Sequence, residues 1–134
     1  MLLYWYKRVL LENYATFRGR ARRSEYWYFV LGNIILAILA YLIDNLFGLN
    51  FDEDAGGPLY LIVLLGTIIP TIAVMIRRLH DVGKSGVFFL VWFIPIVGPI
   101  WLLVLLLTEG NTGRNQYGND PKKHNYEINE IGLE

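Results

Sequence analysis

The reactive side chains of this sequence are concentrated in Arg77-Arg78-Leu79-His80-Asp81-Val82-Gly83-Lys84-Ser85-Gly86, ten residues holding three cations, an imidazole, a carboxylate and two glycines. An imidazole near a carboxylate becomes basic enough to exchange a proton at neutral pH. Adjacent residues on a helix point apart, however, so His80 and Asp81 need either a turn or separate partners. The plainer expectation is that Asp81 pairs with an arginine or caps a helix while His80 bonds backbone. Gly83-Lys84-Ser85 copies the end of a phosphate-binding loop, but that loop needs a glycine where Arg78 stands and a strand before it, so nucleotide hydrolysis is set aside. The second histidine, His124, is far along the chain, and there is no cysteine. No metal site, cofactor or catalytic set is therefore expected.

Arginine forks match phosphate and carboxylate geometry, and six arginines belong to two segments: Arg18, Arg20, Arg22 and Arg23 in the first, Arg77 and Arg78 in the second. Specific pairs are expected with the nearby carboxylates, Arg77 or Arg78 with Glu25 and Arg22 or Arg23 with Asp81. Anionic lipid headgroups are a further partner for this charge.

The elements that must position these groups are apolar. Of 134 residues, 54% are hydrophobic, and they gather in uncharged runs at 26–43, 55–76 and 85–108 instead of recurring at the period of half-buried elements. A helical span needs about 20 such residues to cross a hydrocarbon core of about 30 Å. The net charge of zero conceals segregation. Residues 1–25 carry Lys7, Arg8, Arg18, Arg20, Arg22 and Arg23 against Glu12 and Glu25, whereas 44–57 has Asp44, Asp52, Glu53 and Asp54 and no cation. Basic loops stay cytoplasmic, which places the N-terminus and the 77–86 segment inside and the acidic loop outside. Arg22-Arg23 before an apolar run matches the start of a twin-arginine export signal, but Ser24-Glu25-Tyr26-Trp27 follows and no cleavage site closes the run, so no cleaved leader is expected.

The expected fold is all-α: a polytopic membrane helical bundle in a single domain over 1–121, with a polar tail at 122–134. An interfacial helix covers about 2–17, with Leu3, Tyr6, Leu10 and Phe17 near one face; the alternative is a helix packed on the protein itself. Ser24 is placed to cap the first span, about 26–47, with Glu25 at its positive end. The second span, about 59–76, contains Pro70, which is expected to bend its cytoplasmic end. The third, about 87–107, is interrupted by Pro95-Ile96-Val97-Gly98-Pro99. Each half of a hairpin would fall short of a span, so one broken span with the C-terminus outside is expected, and a re-entrant hairpin returning the C-terminus inside is the alternative. A turn-rich segment follows at 109–121.

At Phe17-x-Gly19-Arg20-Ala21-Arg22-Arg23-Ser24-Glu25-Tyr26-Trp27, Arg77-Arg78-Leu79-His80-Asp81, Gly83-Lys84-Ser85-Gly86, Ile94-Pro95-x-x-Gly98 and Gly110-x-x-Gly113-x-Asn115-x-Tyr117-Gly118-x-Asp120-Pro121, the chain resembles the domain-of-unknown-function 805 family of small bacterial inner-membrane proteins, which has YhaH-like members. The resemblance runs over about residues 4–121. It departs at Val87-Phe88-Phe89, where that family commonly has a tryptophan. It implies a multi-pass inner-membrane protein of unassigned role. It singles out Arg20, Arg22, Arg23, Glu25, Arg77, Arg78, His80, Asp81, Asn115, Tyr117 and Asp120 as candidate ligand- or partner-binding positions. The Arg-rich turn, the 77–86 segment and the 109–121 segment would then meet in one polar cluster. That requires residues 109–121 to be inside, in conflict with a third full span.

The functional expectation is a non-enzymatic membrane component whose basic cytoplasmic face contacts anionic lipid or a partner protein, with no nucleic-acid partner. Small residues such as Gly32, Ala37, Ala40 and Gly66 permit close helix approach and hence self-association. A transporter or channel subunit could use the broken helices, although the spans contain no mid-membrane ionisable residue. An interfacial enzyme using His80 and Asp81 is the remaining alternative.

Overall fold

A computed structural model describes residues 1–121, and their regular structure is helical; the expected polar tail, with His124, lies outside the described residues. Helix α1 (Leu2–Lys7) continues as a π-helical turn, Arg8–Glu12. Two 24-residue helices follow, α2 (Arg23–Leu46) and α3 (Pro58–Asp81). A 3₁₀ segment, Gly86–Phe93, and the 11-residue α4 (Val97–Leu107) complete the fold.

At about 1.5 Å per residue, α2 and α3 are each about 36 Å long, enough to cross a bilayer. Their apolar windows are only 17% buried. Ile34, Ile38 and Leu42 of α2, and Ile62, Leu65 and Ile69 of α3, face outward. The core lies toward the basic end, where Tyr26, Phe29, Val74 and Leu79 meet Val9, Leu102 and Leu106. Outward apolar faces of this length suit lipid, which needs no polar cover.

The two long helices are tied at their acidic end by Asp44. Its fully buried carboxylate accepts the amides of Gly57 (3.0 Å), Leu59 (3.3 Å) and Tyr60 (3.0 Å). Pro58, the first residue of α3, has no amide to satisfy, and Gly57 has no side chain with which to cap. The cap is therefore supplied from the neighbouring helix, with its negative charge at the positive end of α3. A Cβ on Gly57 would lie 2.7 Å from the Asp44 carboxylate carbon, so glycine is what lets the carboxylate approach.

Pro70 does not end α3. Lacking an amide, it leaves the Gly66 carbonyl without its helical donor, and the Tyr14 hydroxyl donates to that carbonyl at 2.7 Å. The helix continues through Arg77–Asp81, so the reactive segment begins as the last turns of a span and not as a loop after one.

One expectation is corrected. The third apolar run is a hairpin, not one broken span over 87–107. Gly86 packs on Ile76 and His80, and the Thr108 carbonyl accepts from Arg78, so both ends of the run lie beside the end of α3. The reversal is a γ-turn at Ile96, with φ 67° and the Val97 amide donating to the Pro95 carbonyl at 2.7 Å. The Gly98 amide bonds the Ile94 carbonyl, and a Cβ on Gly98 would overlap the Val91 carbonyl. Each arm extends about 16 Å, half of the hydrocarbon thickness.

The first helix is docked on protein, the alternative stated for it. It buries Trp5 and Val9, leaving Leu3 and Phe17 exposed, and Tyr6 stacks on Phe29 (5.2 Å) while donating to Asn33 (2.9 Å). A Cβ on Gly32 would strike the Tyr6 ring, so Gly32 admits α1 and not a second long helix. Gly66, also read as a helix-approach residue, faces open space.

Asp44→Ala should lower stability by about 2 kcal/mol, the upper range for loss of a helix cap. This would be read as a lower thermal-unfolding midpoint in detergent; an unchanged midpoint would refute the interhelical cap.

Candidate functional site

At the basic end, the last turns of α3 present Arg77, Arg78 and Asp81 inward, all at least 96% buried. The Ala21 amide donates to the Arg77 carbonyl at 3.0 Å, which lays the 18–22 strand of chain across the helix end. Asp81 then accepts from Arg20 Nε through Oδ1 (2.9 Å) and from Arg78 Nη1 through Oδ2 (2.5 Å). One carboxylate thus bridges two guanidinium groups.

Backbone carbonyls complete both forks. Arg20 donates to the carbonyls of Asn111 (2.5 Å), Gly113 (2.6 Å) and Gly118 (3.3 Å). Arg78 donates to Leu106 (3.2 Å), Ala21 (3.4 Å) and Thr108. The Asn111 amide returns a bond to the Asp81 carbonyl at 2.7 Å. A Cβ on Gly110 would overlap the Asp81 carboxylate, so the 109–113 turn can close only with glycine there. Buried charges stay ionised only when paired and fully hydrogen-bonded, and here residues from four chain segments supply the bonds.

A second pair lies alongside. Arg77 Nη1 bonds Glu25 Oε1 at 2.6 Å, and its Nε bonds the Thr16 carbonyl at 3.0 Å. Glu25 sits in the first turn of α2, as expected. Ser24 does not cap that helix; Arg22 occupies the cap position and the buried Ser24 hydroxyl has no partner among the described residues.

His80 and Asp81 have separate partners. His80 Nδ1 lies 2.9 Å from the Gly19 carbonyl, which can only accept, so Nδ1 carries the proton. The ring stacks on Tyr117 at 4.0 Å, and Asn115 donates to the His80 carbonyl at 2.9 Å. Asp120 accepts from the Gly113 amide at 3.0 Å and shapes the same turn.

Nine of the eleven singled-out residues therefore meet at one end: Arg20, Glu25, Arg77, Arg78, His80, Asp81, Asn115, Tyr117 and Asp120. Arg22 and Arg23 stand outside the ion pairs. Arg22 lies over the Trp5 ring at 5.5 Å, and Arg23 bonds the Leu107 carbonyl at 3.2 Å. The expected pairing of Asp81 with Arg22 or Arg23 is thus replaced by Arg20 and Arg78. The carbonyls of residues 106–118 were not legible from side-chain type; the glycines at 110 and 113 were the available signal.

The family described as "Protein of unknown function (DUF805)" matches residues 14–119. The chain belongs to this family. It is 46% identical over 118 residues to "Inner membrane protein YhaI" of Escherichia coli (strain K12), an alignment covering 88% of this chain and 95% of the relative. It is 42% identical over 120 residues to "Inner membrane protein YhaH" of the same strain, covering 88% and 96%. A more distant relative, "Uncharacterized protein YiiR", is 28% identical over 140 residues, covering 83% and 89%. No solved structure matches. With two long helices exposing apolar faces and inner-membrane proteins as relatives, this DUF805 chain is a membrane protein with transmembrane helices.

Asp81→Asn should cost about 3–5 kcal/mol, because it leaves two buried guanidinium groups without their counter-charge. Arg22→Gln should stay within about 0.5 kcal/mol. Thermal unfolding in lipid-free detergent separates them; equal effects would refute the assignment of Arg20 and Arg78 as the partners of Asp81.

Proposed function

We propose that this DUF805 protein is a non-enzymatic, multi-pass component of the bacterial inner membrane whose basic cytoplasmic face contacts anionic lipid. It crosses the bilayer with α2 and α3, while the 86–107 hairpin enters and leaves on the cytoplasmic side. The observation that carries this reading is the Arg20–Asp81–Arg78 bridge, which draws the Arg-rich turn, the end of α3 and residues 109–118 to one surface.

Charge supports the orientation. Lys7, Arg8, Arg18, Arg23, Lys84 and Arg114 are exposed at the bridged end, whereas the exposed charges of the opposite loop are Asp52, Glu53 and Asp54. Positive loops are retained in the cytoplasm, and the inner leaflet carries the anionic lipid that such a face attracts. A non-enzymatic role fits the chemistry of the cluster. Its carboxylates are engaged by guanidinium groups, and His80 is held by the Gly19 carbonyl on one side and the Tyr117 ring on its face.

A fluorescent reporter fused after the last residue should be active, and an alkaline phosphatase fused there inactive, since the former works in the cytoplasm and the latter outside it. The reverse result would overturn the topology. In vesicles, the purified protein should retain phosphatidylglycerol over phosphatidylcholine, and equal retention would remove the lipid-contact reading.

A further inference from the structure

The two ends of the molecule differ in how many helical segments they hold. At the acidic end the described helices are α2 and α3 only, tied by Asp44, with Leu46, Ile62 and Leu65 exposed. Three more segments join them toward the basic end. Tyr6 meets Phe29 and Asn33, and Leu2 and Leu3 line a groove with Ile35, Leu36 and Leu39. Helix α1 therefore lies beside the half of α2 nearest the basic end and reaches just past its midpoint. Both arms of the hairpin pack there too, through Phe88, Phe89, Leu102 and Leu106 against Val74 and Leu79. A helix is about 10–12 Å across, so each segment takes roughly 100 Å² and the three together about 300 Å². The molecule is a wedge, broad at its basic end.

The added width suits hydrocarbon. Residues 85–108 carry no charge, and Phe93 and Ile96 at the tip of the hairpin are 72% and 79% exposed. Cations stand at both roots. Exposed Lys84 lies over the Phe88 ring at 5.7 Å, and Arg23 bonds the Leu107 carbonyl at 3.2 Å. Uncharged arms below a cationic collar match one leaflet of a bilayer, with acyl chains beneath phosphate headgroups. Arms of about 16 Å end within that leaflet.

We infer that the protein is a one-leaflet wedge whose preferred partner is a curved bilayer, convex on the side of the basic end. It displaces more lipid from the leaflet at that end than from the other. A convex leaflet has the larger area and accommodates the difference, which is why binding by helices inserted in one leaflet is curvature-sensitive. This rests on the membrane reading proposed above, in whose orientation the favoured membrane bulges toward the cytoplasm. The wedge itself is a matter of shape and does not depend on lipid charge.

The test places the full chain at low density in giant vesicles of phosphatidylcholine, from which a narrow membrane tube is drawn. The sequence has no cysteine, so Arg114→Cys carries a single dye at the exposed basic end, and a membrane-impermeant quencher reports which way that end faces. With the basic end outward, the tube-to-vesicle ratio of protein should exceed that of a lipid dye. With the basic end inward, it should fall below. Each orientation is the control for the other, so the comparison needs no further variant. Ile96→Asp puts a charge at the tip, which hydrocarbon expels, and should bring both ratios toward that of the lipid dye. Phe51→Asp, exposed in the opposite loop, should change neither. Unfolding midpoints in detergent would verify that both variants are folded.

Equal ratios in the two orientations would overturn the wedge, as would a folded Ile96→Asp chain that sorts like its parent. Sorting that vanishes on dilution would make the hairpin a contact between copies, and sorting confined to phosphatidylglycerol would make it charge attraction. Either result overturns the wedge too. Failure of the proposed lipid contact is seen separately, in lipid retention and the reporter fusions, and neither enters the sorting in phosphatidylcholine.

Discussion

Asp81 shares its carboxylate between Arg20 and Arg78, and the basic end of the molecule is arranged around that bridge. Three buried guanidinium groups face two buried carboxylates there, so the remaining stabilisation has to come from neutral dipoles. Backbone carbonyls are the available source. The chain directs those of Ala21, Leu106, Thr108, Asn111 and Gly113 at the two forks. Once residues 106–113 are held in this way, the apolar run before them must return to the end from which it left.

The opposite end repeats the principle with one charge. Asp44 reaches from α2 to the free amides of α3, so α3 is held at its start by one carboxylate and at its end by another. Between these ties the helices meet through apolar and small polar contacts, such as Asn33 with Thr71 at 3.3 Å. Lipid tails are as apolar as leucine, so helix association in a bilayer gains little from hydrophobic burial, and polar ties carry more of the specificity. Tyr14 extends this economy to the middle of α3, where its hydroxyl serves the carbonyl that Pro70 releases. The result is a bundle whose long helices are apolar on the outside and are tied to one another by a few buried polar groups.

Side-chain type identified most of the members of the cluster but not their pairing. Arg77 with Glu25 was one of two stated choices and is the pair that forms. Arg20, and not the expected Arg22 or Arg23, is the partner of Asp81 from the Arg-rich turn. Four arginines lie within six residues, and which one enters depends on the path of the turn. That path is set by Gly19 at φ 88° and by the bond from the Ala21 amide to the Arg77 carbonyl. Neither is a property of arginine. Of the expected face of Leu3, Tyr6, Leu10 and Phe17, Gly32 and Asn33 on another helix select Tyr6, which leaves Leu3 and Phe17 exposed and buries the neighbouring Trp5.

The sequence by itself determined the helical class, two apolar segments long enough to cross a membrane, the segregation of basic from acidic segments and the family, while its third apolar run also read as a span. These follow from hydrophobic length, charge counts and ordered motifs, which are summed or matched along the chain without knowledge of its path. Tertiary structure alone decided that the third apolar run folds back, that Asp81 bridges Arg20 and Arg78, and that Tyr6 docks α1 on α2. Pro95 and Pro99 permit either a broken span or a hairpin. Choosing between them depends on where Thr108 and Asn111 find buried guanidinium groups, and those lie on α3 and the Arg-rich turn, 30 and 91 residues away in sequence.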